Sequence, residues 1–174
     1  MIKTLAVHNN IEKEQKDKSI IIEEIYERNV NMVYRVSFSY MKNKTDTDDI
    51  VSEIFLKLIK TKICFQNEEH EKAWLLRTTI NLCKDSLKSL RRKNKNIDDY
   101  INTEGENQNQ FEIDETFKIV MQLPGRYKDA IYLYYYEGYS TEEIARILKK
   151  PNSTIRNHLH EARNLLKGVL ENEK

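Results

Sequence analysis

The scarcity of turn-forming residues is the strongest constraint on this sequence. Only four glycines and two prolines occur in 174 residues. A β-rich fold needs many tight turns, and tight turns depend on these two residue types. The sequence therefore predicts an all-α fold made of long helices. Because 39% of the residues are hydrophobic and 33% are charged, we expect small helical domains with wide solvated faces rather than one large core.

The hydrophobic pattern divides the chain into four segments. Apolar residues recur at helical spacing over residues 20–93 and again over 113–171, which predicts two small helical domains. Residues 1–19 are polar and of mixed charge, and we predict a flexible leader there. Residues 94–112 are rich in Asn, Gln, Asp and Glu and poor in apolar side chains, so they are predicted to form a flexible acidic linker.

Local signals predict where individual helices begin and end. Thr47 is the predicted N-cap of a helix whose first turn carries Asp48 and Asp49, where carboxylates favour the helix dipole. Leu123-Pro124 is predicted to interrupt the second domain, because proline disfavours a helical residue before it. A further helix is expected to end at Gly138.

Residues 140–167 have the pattern of a helix-turn-helix. Ser140 or Thr141 is predicted to cap a first helix, with Glu143 at capping-box distance from Ser140. A polar turn follows, and the second helix has apolar residues at spacings of three and four: Ile155, Leu159, Ala162, Leu166 and Val169. The pattern alone is also compatible with a plain helical hairpin that has a solvated charged face. The short turn and the small Ala145 at the helix crossing favour the helix-turn-helix.

The motifs of both halves resemble those of one family, the extracytoplasmic-function (ECF) sigma factors of bacterial RNA polymerase. In the second half the resemblance lies in Leu123-Pro124, in residues 138–145 and in residues 153–163. In the first half it lies in residues 46–55, in Ala73 to Arg77, and in Asn81, Asp85 and Arg91-Arg92. The resemblance implies a sigma factor that binds core RNA polymerase and directs promoter-specific transcription initiation. The first domain would read the −10 element and the helix-turn-helix the −35 element.

The resemblance also implies roles for individual residues. Asp49 and Glu53, one helical turn apart, would contact polymerase. Phe65 and Asn81 would hold a base flipped from the −10 element, by stacking and by hydrogen bonding; a core role for Phe65 is equally open, and Trp74 is assigned mainly to the core. The −35 candidates are in the turn and on the outer face of the second helix: Lys149, Ser153, Thr154, Arg156, Asn157, His160 and Arg163. Arginine and asparagine can each form paired hydrogen bonds with base edges.

Four basic residues near the end of the first domain form a further candidate for DNA binding. Lys84, Lys88, Arg91 and Arg92 occur at helical spacing on one face, as a phosphate backbone would require, although a solvated helix end has the same pattern. The sequence departs from the family at His158 and Glu161, where a basic residue is usual. His158 and His160 point to different sides of a helix, so they are not expected to bind a metal together.

Other classes of function lack support in the sequence. There is no glycine-rich phosphate loop, metal-ligand cluster or nucleophile–base spacing, so we expect no enzyme activity, no catalytic residues, no cofactor, no metal and no small-molecule substrate. Cys64 and Cys83 are expected to be reduced thiols. No stretch approaches ~20 apolar residues, so we expect a soluble cytoplasmic protein without direct membrane insertion.

The resemblance also implies which partners the chain binds. The expected partners are core RNA polymerase and promoter DNA in double- and single-stranded form, and an anti-sigma factor is left open. An ordinary helix-turn-helix regulator, which would bind DNA without polymerase, is the competing interpretation. It leaves the Asp49/Glu53 pair and the block from Trp74 to Arg92 without a use.

Overall fold

A computed structural model describes residues 2–61, 63–93 and 115–172 of the chain. Within these ranges it consists of helices and contains no strand, which confirms the all-α prediction. The first domain comprises α1 (Ile2–Met41), α2 (Lys44–Lys60) and α3 (Glu68–Lys93). The predicted linker, residues 94–112, lies outside the described residues.

The three helices of the first domain pack against one another around a shared apolar core. Val33 of α1, Ile54 of α2, and Leu75 and Leu76 of α3 are fully buried at its centre. The first helix begins at Ile2 and not near residue 20, so it runs through the segment predicted as a leader. No glycine or proline occurs before Gly105, and nothing in the sequence therefore stops this helix before Met41.

The N-terminus of α2 differs from the prediction. Asn43, not Thr47, is the N-cap, and its Oδ1 accepts a hydrogen bond of 2.9 Å from the backbone N–H of Asp46. Thr47 lies one turn inside the helix, where it is buried and its hydroxyl donates to the Asn43 carbonyl oxygen at 2.6 Å. The prediction of Thr47 as the cap was wrong because asparagine caps at least as well and stands one turn earlier.

Over the described residues 115–172, the second domain has four helices and a short π-helical turn. These are α4 (Glu115–Gln122), α5 (Gly125–Ile131), the π-helical turn Tyr132–Tyr136, α6 (Thr141–Leu148) and α7 (Asn152–Asn172). The predicted interruption at Leu123-Pro124 separates α4 from α5 and is confirmed. Gly138 has a φ of +75°, a conformation that glycine adopts without strain, and it lets the chain turn into α6.

The two domains pack against each other. Their buried side chains form one continuous apolar cluster, and α3 of the first domain contacts α6 of the second. Tyr40 at the end of α1 and Leu133 of the π-helical turn are both buried in this cluster. The contact fixes where the face of α3 lies relative to the helix-turn-helix.

Candidate nucleic-acid interface

The helix-turn-helix is stabilised at both ends of its first helix. The predicted capping box is present: the Glu143 N–H donates to Ser140 Oγ at 3.3 Å, and the Ser140 N–H donates to Glu143 Oε2 at 2.8 Å. The Ser140 hydroxyl also donates to Glu143 Oε2 at 2.7 Å, and this bond, followed by the one from the Ser140 N–H, holds the pKa of Glu143 below its usual value. Lys149 ends α6 in the left-handed conformation, with φ 51°. Asn152 Nδ2 then donates to Glu142 Oε1 at 2.7 Å, which connects the start of α7 to α6 across the turn.

Helix α7 has one buried and one exposed face. Ile155, Leu159 and Ala162 are at most 2% exposed and pack into the second domain. The side chains predicted to contact the −35 element are exposed on the other face, except for the half-buried Thr154: Ser153, Arg156, Asn157, His160 and Arg163. Lys149 is exposed in the turn. The structure thus brings the −35 candidates together on one accessible surface.

Two tyrosines of the π-helical turn hold Arg163. Arg163 Nε donates to the Tyr135 hydroxyl at 3.0 Å, and its guanidinium lies 5.9 Å from the ring centroids of Tyr134 and Tyr135. This contact, across 28 positions, was not predicted from the sequence. A run of aromatic residues alone gives no indication of a contact with Arg163. The contact restricts the rotamers of Arg163 on the exposed face of α7.

His158 lies beside the exposed face of α7 and not on it. Its ring makes an edge contact with Tyr127, with centroids 5.7 Å apart, and its Nδ1 is buried without a hydrogen-bond partner among the described residues. Desolvation, followed by the positive charges of Lys150 and Arg126, lowers the pKa of the imidazole. The surroundings of His158 thus favour the neutral imidazole, at a position where the resemblance leads us to expect a basic residue.

The basic stripe on α3 is divided between two environments. Lys84 Nζ lies 2.5 Å from Asp129 Oδ2 of α5, whereas Lys88 is exposed and pairs with Asp85 of its own helix at 3.2 Å. Arg92 is exposed, and its Nε donates to the Lys88 carbonyl oxygen at 3.4 Å. The Arg91 side chain lies outside the described residues. One member of the predicted phosphate-binding stripe thus contacts the other domain.

A cleft of about 190 Å³ opens between α2 and α3. Asn81, Trp74 and Arg77 are among its lining residues, together with Lys57, Thr78, Leu82 and Asp85. Phe65 does not line the cleft. It is half-buried, with its ring centroid 5.7 Å from that of Trp74. The structure therefore places the Asn81 amide in a cleft with an aromatic ring, but the ring is that of Trp74, which sequence reasoning assigned mainly to the core.

The exposed face of α2 presents Asp49 and Glu53 to solvent. The opposite face of the helix is buried through Ile50, Ile54 and Leu58. Leu56, about one turn past Glu53, is 52% exposed although it is apolar. An exposed acidic pair beside an exposed leucine is a surface suited to a basic, partly apolar partner.

Among the described residues, no three or more His, Cys, Asp or Glu side chains are placed to hold a metal ion. The described helices include none that is long and apolar enough to cross a membrane. Cys64 and Cys83 are free thiols, the first exposed and the second buried.

Comparison with known families connects these surfaces to a class of protein. The family model for sigma-70 region 2 matches residues 25–93, and the model for sigma-70 region 4 matches residues 115–166. Together the two matches cover well over half of the chain, in the order in which the structure places the two domains. The fold and the helix-turn-helix thus define a sigma factor.

Individual relatives narrow the class further. The RNA polymerase sigma factor SigV of Bacillus subtilis is 27% identical over 165 residues, covering 94% of this chain and 98% of the relative. The ECF RNA polymerase sigma factor SigM of Bacillus subtilis is 28% identical, covering 85% and 94%. Among solved structures, the sigma factor RpoE of Bartonella quintana, in complex with the anti-sigma factor NepR, has a similar fold. Its TM-score is 0.59 at 18% identity, covering 93% of this chain and 99% of that one.

These findings confirm the expected family. The chain belongs to the sigma-70 family of RNA polymerase sigma factors, and its relatives place it with the ECF type. Its function is promoter-specific transcription initiation by RNA polymerase. The family acts as a non-catalytic initiation factor.

Proposed function

We propose that the two domains divide promoter recognition between them, residues 20–93 binding core RNA polymerase and the −10 element and residues 113–171 binding the −35 element. The observation that carries this proposal is the two-faced α7. Its buried side, with Ile155 and Leu159, forces Arg156 and Asn157 outward at the start of the helix. The first turns of such a helix are where base edges are contacted.

Asp49 and Glu53 are the proposed polymerase contacts. Both are exposed on α2, and neither takes part in a described catalytic or metal-binding cluster. Two carboxylates one turn apart present a local negative charge that a basic surface would neutralise. The exposed Leu56 would add apolar contact at the edge of the same surface.

The cleft between α2 and α3 is the proposed site for a base flipped from the −10 element. Asn81 would supply hydrogen bonds to the edge of the base. Phe65 remains the candidate for stacking, and its neighbour Trp74 offers a second ring inside the cleft. Lys84, Lys88, Arg91 and Arg92 would follow the phosphate backbone from there.

We propose that the chain acts in the cytoplasm, without enzyme activity, cofactor or metal of its own. The similar fold of a sigma factor bound to an anti-sigma factor makes such a protein a candidate partner here as well. Recognition of −35 DNA by Lys149, Ser153, Thr154, His160 and Arg163 is part of the same proposal.

Reconstitution with core RNA polymerase tests the proposed division of labour. We expect the purified chain to co-elute with core polymerase and to direct transcription from a subset of promoters in a fragment library. Asn81→Ala should reduce opening of the promoter and leave binding to core polymerase intact, because the cleft faces DNA. Thr79→Ser, a conservative change at a buried position of α3 that does not line the cleft, serves as the matched control. A chain that binds promoters specifically in the absence of polymerase, and does not co-elute with it, would be an ordinary helix-turn-helix regulator.

A further inference from the structure

A buried carboxylate of the second domain lies at the interface between the two domains. Asp129 of α5 is 3% exposed. The Tyr40 hydroxyl, at the end of α1, donates to its Oδ1, and Lys84 Nζ of α3 lies 2.5 Å from its Oδ2. A buried charge is unfavourable unless it is paired and hydrogen-bonded. Two helices of the first domain therefore supply the partners that a carboxylate of the second domain requires.

Two more polar contacts cross the same interface. The buried Lys128 donates to the Ser39 carbonyl oxygen at 2.5 Å, and desolvation lowers the pKa of this lysine to about 8. Lys72 Nζ lies 2.9 Å from Oε2 of Glu137, and the Glu137 side chain is only 6% exposed. The two domains pack against each other in this structure, which we call the closed arrangement. Specific ionic contacts stabilise it in addition to apolar packing.

Asp129 and a DNA phosphate would compete for the ammonium group of Lys84. It belongs to the basic stripe of α3 that is proposed to follow the phosphate backbone, and its side chain is about one-third exposed. A carboxylate and a phosphate both bind the ammonium group through anionic oxygens. While Asp129 holds Lys84 at 2.5 Å, the start of the stripe is occupied by the chain itself.

We propose that this interface is an autoinhibitory latch in which Asp129 takes the place of a DNA phosphate at Lys84. The proposal rests on the proposed function, because it needs the α3 stripe to be a DNA-binding surface. The free chain is closed, and the separation of the domains releases Lys84. A protein whose binding-competent state is sparsely populated has an apparent affinity reduced by the populated fraction. Raising the open fraction therefore raises DNA affinity without any new contact to DNA.

The distance between the domains can be followed with two fluorescent labels on the full chain. Cys64 is exposed in the first domain and Cys83 is buried, so Cys64 is the natural site for one label. Glu161→Cys on the exposed face of α7 provides the second. Energy transfer between the labels reports closure, and binding of a mixed-sequence single-stranded oligonucleotide at fixed low salt reports access to the stripe.

Asp129→Asn is the central variant, because it keeps the shape of the side chain and removes the charge that holds Lys84. We expect energy transfer to fall and the oligonucleotide to bind more tightly by about threefold to tenfold, as an increase of the same size in the open fraction would give. Glu137→Gln, which removes the Lys72 pair at a distance from Lys84, should change both readouts in the same direction. If the Asp129→Asn variant does not fold, Glu137→Gln serves as the test in its place.

Glu71→Gln is the matched control. Glu71 is also a buried acid, but it pairs with Arg28 and Asn29 inside the first domain. We expect this variant to lose stability while energy transfer and oligonucleotide affinity stay at wild-type values. The proposal of a latch is wrong if the folded Asp129→Asn variant keeps the wild-type energy transfer. It is also wrong if the domains of this variant separate and the oligonucleotide does not bind more tightly. Co-elution of the wild-type chain with core polymerase is measured in parallel, and its failure alone would count against the proposed function rather than the latch.

Discussion

Lys84 Nζ lies 2.5 Å from Asp129 Oδ2, so a lysine of the first domain is the counter-charge of a carboxylate buried in the second. The Asp129 side chain is 2% exposed and the Lys84 side chain 34% exposed. Breaking a buried pair by removing one partner destabilises the arrangement, because the remaining charge is uncompensated. The relative placement of the domains therefore depends on a residue that the α3 stripe would otherwise offer to DNA.

Charge reversal on α2 tests the polymerase contact. We expect Asp49→Lys combined with Glu53→Lys to weaken binding to core polymerase at least about tenfold, since like charges would then face a basic surface across the interface. Both positions are exposed, so circular dichroism and the thermal midpoint should remain close to the wild-type values. The measurement is a titration of labelled chain with core polymerase.

Asp48→Lys is the control for this charge reversal. Asp48 is exposed on the same helix but points about 100° away from Asp49, since adjacent helical residues do not share a face. It should retain most of its affinity for polymerase. Equal losses in the two variants would mean that net charge, and not the Asp49/Glu53 face, determines binding.

The capping box of α6 should contribute measurably to stability. Ser140→Ala removes the oxygen that accepts from the Glu143 N–H, and the loss of an N-cap costs about 1 kcal/mol in the free energy of unfolding. Chemical denaturation measures the change. Thr141→Ala, one residue further on and outside the cap, should cost less. If the two substitutions destabilise equally, the box adds little to the helix-turn-helix.

The two cysteines should differ in reactivity. Burial raises the pKa of the Cys83 thiol to about 12, with a smaller opposing effect from the Ser37 hydrogen bond, so little thiolate forms at pH 8. We expect a thiol reagent to modify Cys64 quickly in the native chain and Cys83 only after unfolding. Cys64→Ser should then be unreactive in the native state. Fast modification of that variant would show that Cys83 is accessible.

Local patterns in the sequence predicted local structure well. The Ser140–Glu143 capping box and the burial of Ile155, Leu159 and Ala162 follow from spacing within one or two helices, and the structure confirms both. Contacts between distant elements were not predictable in the same way. Lys84 and Asp129 are 45 positions apart, and helical spacing says only that Lys84 is on a basic face, not which group will meet it. The Arg163–Tyr135 contact was missed for the same reason.

Recognition of the −35 element is tested at two positions with different expected roles. Arg156 is exposed in the second turn of α7, directly after the buried Ile155. Arg156→Ala should weaken promoter binding by about 1–3 kcal/mol and relax the preference at one base position, as the loss of a base contact does. Lys149→Ala, in the turn, should lower affinity for all sequences alike and flatten the salt dependence, as the loss of a phosphate contact does.

Transcription from a library of −35 variants, with polymerase reconstituted with each mutant, separates these outcomes. Both mutants should still bind core polymerase, because Asp49 and Glu53 lie in the other domain. If Arg156→Ala loses activity equally on every −35 variant, Arg156 is a phosphate anchor and does not read a base. If the substitution changes nothing, α7 docks on DNA in a different rotation. His158 would then be the next residue to test, since its half-buried ring against Tyr127 is at the edge of the exposed face and would be turned toward DNA by such a rotation.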